Sequence, residues 1–243
     1  TAPVDARDPH AYSNGFTLTD GPYALSGARL LKLADEHSFW VVSADRFEFV
    51  PETNTTVFDL QGWYGRTYDR LAIKLEGDFV NERLEESQTD LLWSHAISGY
   101  FDSQLGLRFD QFDDGENREW LAFGFQGLAP YWFELDVTAY IGESGRTALS
   151  AEAEYELLLT QRLILQPRAE VNLYGKDDTD NEIGSGISDA AIGIRLRYEI
   201  TRQFAPYIGI EWTRKFGETA DFAQAANEQV EDTQFIAGLK FWF

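Results

Sequence analysis

Hydrophobic and polar residues alternate one by one along most of this chain. In LAIKLEGDF, residues 71–79, the apolar residues share one parity, whereas lysine, glutamate and aspartate share the other. A period of two predicts β-strands that have one apolar face and one charged face. The pattern recurs in about twelve segments, and an even number is typical of closed single-chain barrels. These segments are 39–50, 56–64, 71–79, 88–100, 104–112, 119–128, 131–141, 148–159, 163–174, 189–200, 206–213 and 231–243.

The connections between these segments alternate between a short set and a longer, more acidic set. The short connections are 66–69, 101–103, 129–131, 160–162 and 201–203, and the long ones are 81–87, 113–117, 142–146, 176–186 and 217–231. Outer-membrane barrels have short turns at the periplasmic end and long loops at the other end. We therefore predict an all-β fold: a closed antiparallel transmembrane β-barrel of about 12 strands, formed by residues 37–243. Residues 1–36 are expected to form an N-terminal periplasmic or lumenal segment without a membrane strand.

Aromatic residues near the strand ends are consistent with the interfacial girdle of such a barrel. They are Trp40, Tyr64, Tyr131, Trp132, Phe204, Tyr207 and Trp242. The last strand, through Phe243, is expected to pair with the first, because an unpaired strand edge cannot be satisfied in lipid. The alternative is a soluble sandwich or sugar-binding barrel, in which the apolar face forms the core. Alternation by itself does not separate these two folds.

Composition and charge narrow the classes of function. The formal net charge of −21 would repel a phosphate backbone, so no nucleic-acid partner is expected. No apolar run approaches the roughly 18 residues that a membrane helix requires, which excludes a helical membrane protein. The chain contains no cysteine and no methionine, so thiolate and thioether metal ligands are absent from the sequence.

Several long motifs resemble the copper resistance protein B family (CopB) of Gram-negative outer membranes. They include LQGWYGRTYDRLAIKLEGD at 60–78, EYELLLTQRLILQPR at 154–168 and the stretch 184–223, and the resemblance extends over nearly everything from about residue 7. It implies an outer-membrane β-barrel that handles copper ions within a copper resistance system. It also implies outer-membrane lipid and lipopolysaccharide as surroundings, and a periplasmic copper protein as a candidate partner. Members of the family often carry a stretch rich in methionine and histidine, which this sequence lacks.

The charged parity of the strands would line the lumen, which in a barrel this wide is too large to fill with apolar side chains. If the 142–146 hairpin closes near residues 144 and 145, Glu134 lies beside Glu156 and Asp136 beside Glu154. Carboxylates directly opposite one another repel unless a cation lies between them. The candidate acidic pathway is Glu76, Asp78, Glu134, Asp136, Glu152, Glu154 and Glu156. The alternative is a structural network that Arg168 neutralises.

The three histidines are the candidate nitrogen ligands, because imidazole suits Cu(II) and carboxylates can complete the coordination shell. His37 follows Asp35 and Glu36, and His10 lies two residues from an aspartate. The alternative for each is an ordinary surface histidine. His95 shares the parity of lipid-facing neighbours, so we expect a β-bulge or a change of register there.

The sequence therefore predicts an outer-membrane copper-handling protein that passes or binds copper ions through an acidic lumen. The alternatives are a general cation-selective, porin-like channel and an outer-membrane hydrolase. Ser94 adjoins His95, but neighbours on one strand point to opposite faces and cannot form a catalytic dyad. We therefore expect no enzymatic activity.

Overall fold

The alternating segments form β-strands that pair antiparallel in the order of the chain. The computed structural model describes residues 14–16, 37–81, 83–113 and 115–243, so the expectation for the segment 1–36 falls almost wholly outside the described residues. The strands are β1 (Phe39–Val50), β2 (Thr55–Gly65), β3 (Asp69–Val80), β4 (Arg83–Ala96), β5 (Phe101–Phe112), β6 (Arg118–Ala129), β7 (Phe133–Gly142), β8 (Thr147–Glu154), β9 (Leu157–Leu158), β10 (Leu163–Tyr174), β11 (Gly186–Tyr198), β12 (Phe204–Lys215) and β13 (Glu231–Trp242).

The sheet closes on itself, because β13 pairs with β1 and β10 pairs with both β8 and β11. β8 and β9 pair with the same strand and are separated only by residues 155–156, so together they form one strand of the wall. The predicted closed, antiparallel barrel of 12 strands is confirmed. Two predicted boundaries were wrong: the 148–159 strand is interrupted, and β4 begins at Arg83, which shortens the supposed 81–87 loop.

The apolar face of the strands lies on the outside of the barrel. On β3, the outward Leu71 and Ile73 are 49% and 42% exposed, whereas the inward Ala72 between them is 2% exposed. A soluble sandwich would bury the leucine and isoleucine parity. The outward apolar surface instead fits contact with lipid, so the soluble alternative was wrong.

The seam between β1 and β13 is less regular than the other pairings. Phe243 and Val42 exchange two backbone hydrogen bonds of 2.8 and 3.0 Å, as predicted for pairing of the last strand with the first. The register then shifts between Ala44 and Glu48, where β1 contains a bulge. The backbone ladder of this seam is therefore interrupted, and side chains in the lumen add cross-strand contacts there.

The two ends of the barrel differ only partly as expected, because four connections at the long-loop end, 51–54, 81–82, 113–117 and 143–146, are about as short as those at the other end. The connections 66–68, 97–100, 130–132, 159–162 and 199–203 form the short-turn end. The long-loop end carries residues 175–185 and the helix α1 (Gly217–Ala226), which the period-two pattern did not predict. Within the described ranges, no helix is long and apolar enough to cross a membrane. Tyr207 was wrongly assigned to the aromatic girdle, since its side chain is 5% exposed and points into the lumen.

Candidate functional site

The lumen contains ion pairs, some between neighbouring strands and some between strands far apart in sequence. At its centre, Arg168 on β10 donates from Nε and Nη2 to both oxygens of Glu152 at 2.8 Å. The same guanidinium donates to Glu170 at 2.5 Å and lies 3.8 Å from Glu211. These residues share the inward parity of three strands, so the strand register alone brings their side chains together. Arg168 therefore neutralises part of the acidic lumen, as the structural alternative supposed.

A second cluster closes the lumen toward the long-loop end. The buried carboxylate of Asp110 accepts hydrogen bonds from Arg108 Nε at 2.6 Å, Arg118 Nε at 3.2 Å and Trp120 Nε1 at 2.8 Å. The guanidinium of Arg108 also lies 4.6 Å from the centre of the Tyr140 ring. Charge-assisted hydrogen bonds of this kind are strong in a buried setting. We call these five residues the Asp110 cluster.

The 175–185 loop attaches to the Asp110 cluster through one carboxylate. The buried Asp178 lies 3.4 Å from Arg118 and 3.7 Å from Arg146. Its backbone exchanges hydrogen bonds of 2.7 and 2.9 Å with Ile183, which makes the loop a compact turn. Since Arg118 lies on β6 and Arg146 in the turn between β7 and β8, Asp178 holds the loop against both of these parts of the long-loop end.

The same loop also contacts α1. Gly184 N–H donates to Thr219 Oγ1 at 2.8 Å, and Thr219 Oγ1 lies 3.1 Å from Ser188 Oγ. Hydrogen bonds from Ser185 hold the pKa of Asp177 below its ordinary value, and the Asp177 charge raises the pKa of the neighbouring Glu218. At the long-loop end, the 175–185 loop and α1 therefore contact each other instead of standing apart as separate loops.

Three cavities follow one another from the short-turn end toward the Asp110 cluster. The vestibule, about 770 Å³, is lined by the 97–100 turn and by Trp63, Arg70 and Asp102. It shares Gln126 and its neighbours with the middle chamber, which measures about 330 Å³. The charged lining of the middle chamber is Asp45, Arg46, Asp59, Lys74, Glu76, Glu134, Asp136, Glu152, Glu154, Arg168 and Lys240.

The inner chamber, about 70 Å³, is the smallest of the three cavities. It shares Lys74, Glu76, Asp136 and Glu152 with the middle chamber, and Arg108 of the Asp110 cluster forms part of its wall. Among the described residues, the cavities thus form a funnel that narrows from the short-turn end inward.

The comparisons with known proteins agree with the resemblance found in the sequence. The family model described as Copper resistance protein B precursor (CopB) matches residues 38–243. The chain belongs to the copper resistance protein B family. The Copper resistance protein B homolog of Pseudomonas syringae pv. tomato is 43% identical over 207 residues, which cover 85% of this chain and 70% of that protein. Copper resistance protein B of Escherichia coli is 42% identical over 206 residues, covering 84% and 69% respectively.

Solved structures support the fold of this family member. The NanC porin superposes with a TM-score of 0.54 at 10% sequence identity, over 84% of this chain and 99% of the porin. At this identity the likeness establishes the outer-membrane type of barrel and nothing about the ion that is handled.

Most of the predicted acidic residues of this copper resistance protein B member line the lumen, but β7 and β8 pair in a different register from the one predicted. Glu134 pairs with Glu154, and Asp136 pairs with Glu152, two residues away from the predicted partners. The hairpin turns at Glu143–Gly145, where Ser144 and Gly145 adopt positive φ values of 56° and 70°. This turn is centred nearer the N-terminus than predicted, and the inward parity is unchanged.

Five of the seven predicted acids line the middle chamber, and they differ from one another in how closely a lysine or arginine approaches them. Lys74 forms a hydrogen-bonded ion pair with Asp136, and Lys240 lies 3.9 Å from Glu154. Glu76 lies 4.0 Å from a guanidinium nitrogen, while Glu134 has no lysine or arginine within 4 Å in the described part of the chain. The other two lie elsewhere: Glu156 pairs with an arginine at 2.5 Å, and Asp78 lines none of the three cavities.

Two of the histidine candidates, His37 and His95, lie within the described residues, and neither belongs to a group of three or more metal-ligating side chains there. His95 Nδ1 lies 2.9 Å from Asp69 Oδ1 on the outward face, next to Trp93. The register from β4 to β5 is continuous through His95, so the expected bulge was wrong. Exposed His37 precedes β1, and His10, Asp35 and Glu36 lie outside the described residues. Nowhere in the described ranges do three histidine, aspartate or glutamate side chains converge as metal ligands.

Sequence reasoning missed several lumen residues that matter for the site. Asp45 and Arg46 both line the middle chamber although they are consecutive, because the β1 bulge breaks the alternation there. Asp90 follows strict parity on β4 and could have been found from its position between Gln88 and Leu92. Glu48 is 2% exposed and accepts hydrogen bonds from residues on two other strands.

Proposed function

We propose that this protein lies in the outer membrane and holds copper ions reversibly in an acidic lumen that opens to the periplasm. Membership of the copper resistance protein B family supports copper as the ion. Short turns face the periplasm in outer-membrane barrels, which supports the periplasmic orientation of the vestibule. The proposed role is that of a binding protein; the serine and histidine that adjoin in the sequence, Ser94 and His95, point to opposite faces of β4 and form no catalytic dyad.

The observation that carries this proposal is the acidic lining of the middle chamber. Seven carboxylates face four basic side chains there, and Glu134 lacks a close cationic partner among the described residues. Such an excess focuses a negative potential into the chamber and attracts cations. Carboxylate oxygens hold copper less tightly than a thiolate or thioether cage, so a bound ion remains exchangeable.

The proposal is tested by copper binding to the refolded barrel. Glu134→Gln combined with Glu154→Gln removes two charges from the chamber and should lower the affinity for Cu(II) in equilibrium dialysis. Glu116→Gln combined with Glu143→Gln removes the same charge from the long-loop end and serves as the control. Equal affinity of the chamber variant and the wild-type protein would refute an acidic binding lumen.

A general cation-selective channel is the second candidate, because the three cavities are contiguous. Their narrowing to about 70 Å³ beside the Asp110 cluster favours binding over free passage. Planar-bilayer recordings separate the two functions. We expect little steady conductance from the wild-type protein, whereas a stable cation-selective current would favour the channel.

We further propose that the segment before β1 supplies nitrogen ligands to copper. His37 with Asp35 or Glu36, together with His10, would provide imidazole ligands for Cu(II). Replacing both histidines with alanine should lower the amount of Cu(II) bound per chain. If the variant binds the same amount of Cu(II) per chain as the wild-type protein, both histidines are ordinary surface residues.

A further inference from the structure

We propose that the inner chamber is a binding site for one divalent cation, built on the carboxylate of Asp90. The inference rests on the proposed copper-binding function and locates the innermost site of the same lumen. Copper(II) is the ion that we expect there, held by one charged oxygen, neutral oxygens and water.

Asp90 is a buried carboxylate that has no hydrogen-bond or ion-pair partner among the described residues. Its side chain lies on the inward parity of β4, and the residue is 7% exposed. Among the described residues, its Oδ1 atom is shielded from solvent and has no hydrogen-bond donor. A carboxylate in this position requires a proton or a cation, because burying an uncompensated charge is strongly unfavourable.

The basic side chains that line the inner chamber are already engaged by other groups. Lys74 pairs with Asp136 and donates to Gln104 at 3.2 Å, and Arg108 donates to Asp110 at 2.6 Å. Neither Lys74 nor Arg108 lies within 4 Å of Asp90 in the described part of the protein. A further positive charge in the chamber would therefore meet an unpaired carboxylate rather than displace an existing ion pair.

Most of the other carboxylates that line the inner chamber already form ion pairs with basic side chains. Glu152 and Glu170 both accept hydrogen bonds from Arg168. Glu76, with its nearest arginine nitrogen at 4.0 Å, remains the second carboxylate that faces the chamber with little compensation. The local charge of the chamber wall is therefore negative, and Asp90 is its most buried member without a partner.

The remaining oxygens of the chamber are neutral. Gln88 donates its amide N–H to Glu86 and keeps its carbonyl oxygen as an acceptor, and Ser150 also lines the chamber. A cavity of about 70 Å³ accommodates an ion with a few water molecules. One carboxylate with neutral oxygens and water gives weak, rapidly exchanging binding, in agreement with the absence of a converging ligand set among the described residues.

The ion would reach Asp90 from the short-turn end. The inner chamber shares four lining residues with the middle chamber, whereas the Asp110 cluster lies on its other side. The Asp90 site is thus the innermost point of the funnel, and an ion bound there has to leave by the path through which it entered.

The test compares Asp90→Asn with Asp78→Asn, which removes the same charge from a lumen residue that lines none of the cavities. Refolded proteins are equilibrated with CuCl₂, and bound copper per chain is measured by dialysis and by Cu(II) electron paramagnetic resonance. Asp90→Asn should bind one ion fewer than the wild-type protein, and Asp78→Asn should bind the wild-type number. Millimolar Mg²⁺ or Ca²⁺ should displace the ion that depends on Asp90, because its ligands are oxygens.

The outcomes separate the two proposals. A wild-type protein that binds no Cu(II) would overturn both the proposed function and the Asp90 site. Normal binding by Asp90→Asn overturns the Asp90 site alone and leaves the middle chamber as the binding region. Thermal unfolding provides a second readout: Cu(II) should raise the midpoint of the wild-type protein and of Asp78→Asn, but raise it less in Asp90→Asn. An equal shift in all three proteins would also overturn the Asp90 site.

Discussion

Glu48 joins strands across the irregular seam of the barrel, and its replacement with glutamine should destabilise the fold strongly. The carboxylate accepts hydrogen bonds from Arg195 Nε at 2.6 Å and Nη2 at 3.2 Å, and from the Tyr207 hydroxyl at 3.0 Å. Glu48 belongs to β1, whereas its two partners belong to β11 and β12. The contact therefore spans β13, whose backbone ladder with β1 is interrupted.

The size of the effect follows from the burial of both charges. Removing one partner of a buried ion pair typically costs about 3–5 kcal/mol, because the other charge remains uncompensated. Glu211 also accepts a hydrogen bond from Arg195 at 2.8 Å, so the arginine keeps one carboxylate partner in the variant. We therefore expect a loss of unfolding free energy at the lower end of this range, about 3 kcal/mol. With a urea m-value of about 2 kcal/mol per molar, the unfolding midpoint should fall by roughly 1.5 M.

The assay is urea unfolding of the barrel in lipid vesicles, followed by the fluorescence of its seven tryptophans. Glu228→Gln is the matched control, since Glu228 forms a 2.8 Å ion pair with Lys215 at exposed positions. Exposed pairs contribute about 0–1 kcal/mol, so this variant should unfold close to the wild-type midpoint. A loss below about 1 kcal/mol for Glu48→Gln would refute a structural role for the contacts of Glu48 with Arg195 and Tyr207.

Three further predictions follow from contacts in the wall and at the rim. Gly238→Ala should destabilise the barrel by about 1–3 kcal/mol, because a Cβ at this position would lie 2.6 Å from the ring of the buried Tyr207. Gly99→Ala is the control: there is open space around this glycine, so the variant should unfold at the wild-type urea midpoint. Asp178→Asn should loosen the 175–185 loop and raise copper flux into liposomes, whereas Asp180→Asn, at an exposed position, should not. Equal fluxes of the two variants would contradict the proposed role of Asp178 in holding this loop. Phe243→Ala keeps the backbone pairing of the seam but removes an exposed aromatic ring. It should lower the amount of protein in the outer membrane more than the stability of the barrel in vitro, and an unchanged amount would refute this expectation.

The period of two was sufficient to predict the wall of the barrel, because lipid outside and water inside impose opposite chemistry on successive residues. It also assigned Glu76, Asp136 and Glu152 to the lumen, since parity does not depend on where each strand starts. The pairing of Glu134 was predicted wrongly for a local reason. Register is set by turn geometry, and the positive φ of Ser144 is not evident from the sequence GESGR.

The rest of the candidate site depends on features that alternation does not encode. The bulge in β1 places the consecutive residues Asp45 and Arg46 in the lumen, which violates the parity rule. The role of Glu48 arises from contacts with Arg195 and Tyr207, which lie 147 and 159 positions away in the chain. Such partners follow from closure of the barrel and cannot be inferred from any single segment.

The distribution of charge in the lumen also bears on why the site is acidic at all. A lumen that only had to be filled could balance each carboxylate with an arginine, as Arg168 does for Glu152 and Arg195 does for Glu48. In the lining of the inner and middle chambers, however, Asp90 and Glu134 lack such partners among the described residues. A buried acid without a partner, as Asp90 is among the described residues, lowers the stability of the empty barrel, and a ligand that binds only the folded state restores it in proportion to RT ln(1 + [L]/Kd). Occupancy by a cation and stability of the barrel are therefore expected to be linked through Asp90 rather than through the paired carboxylates.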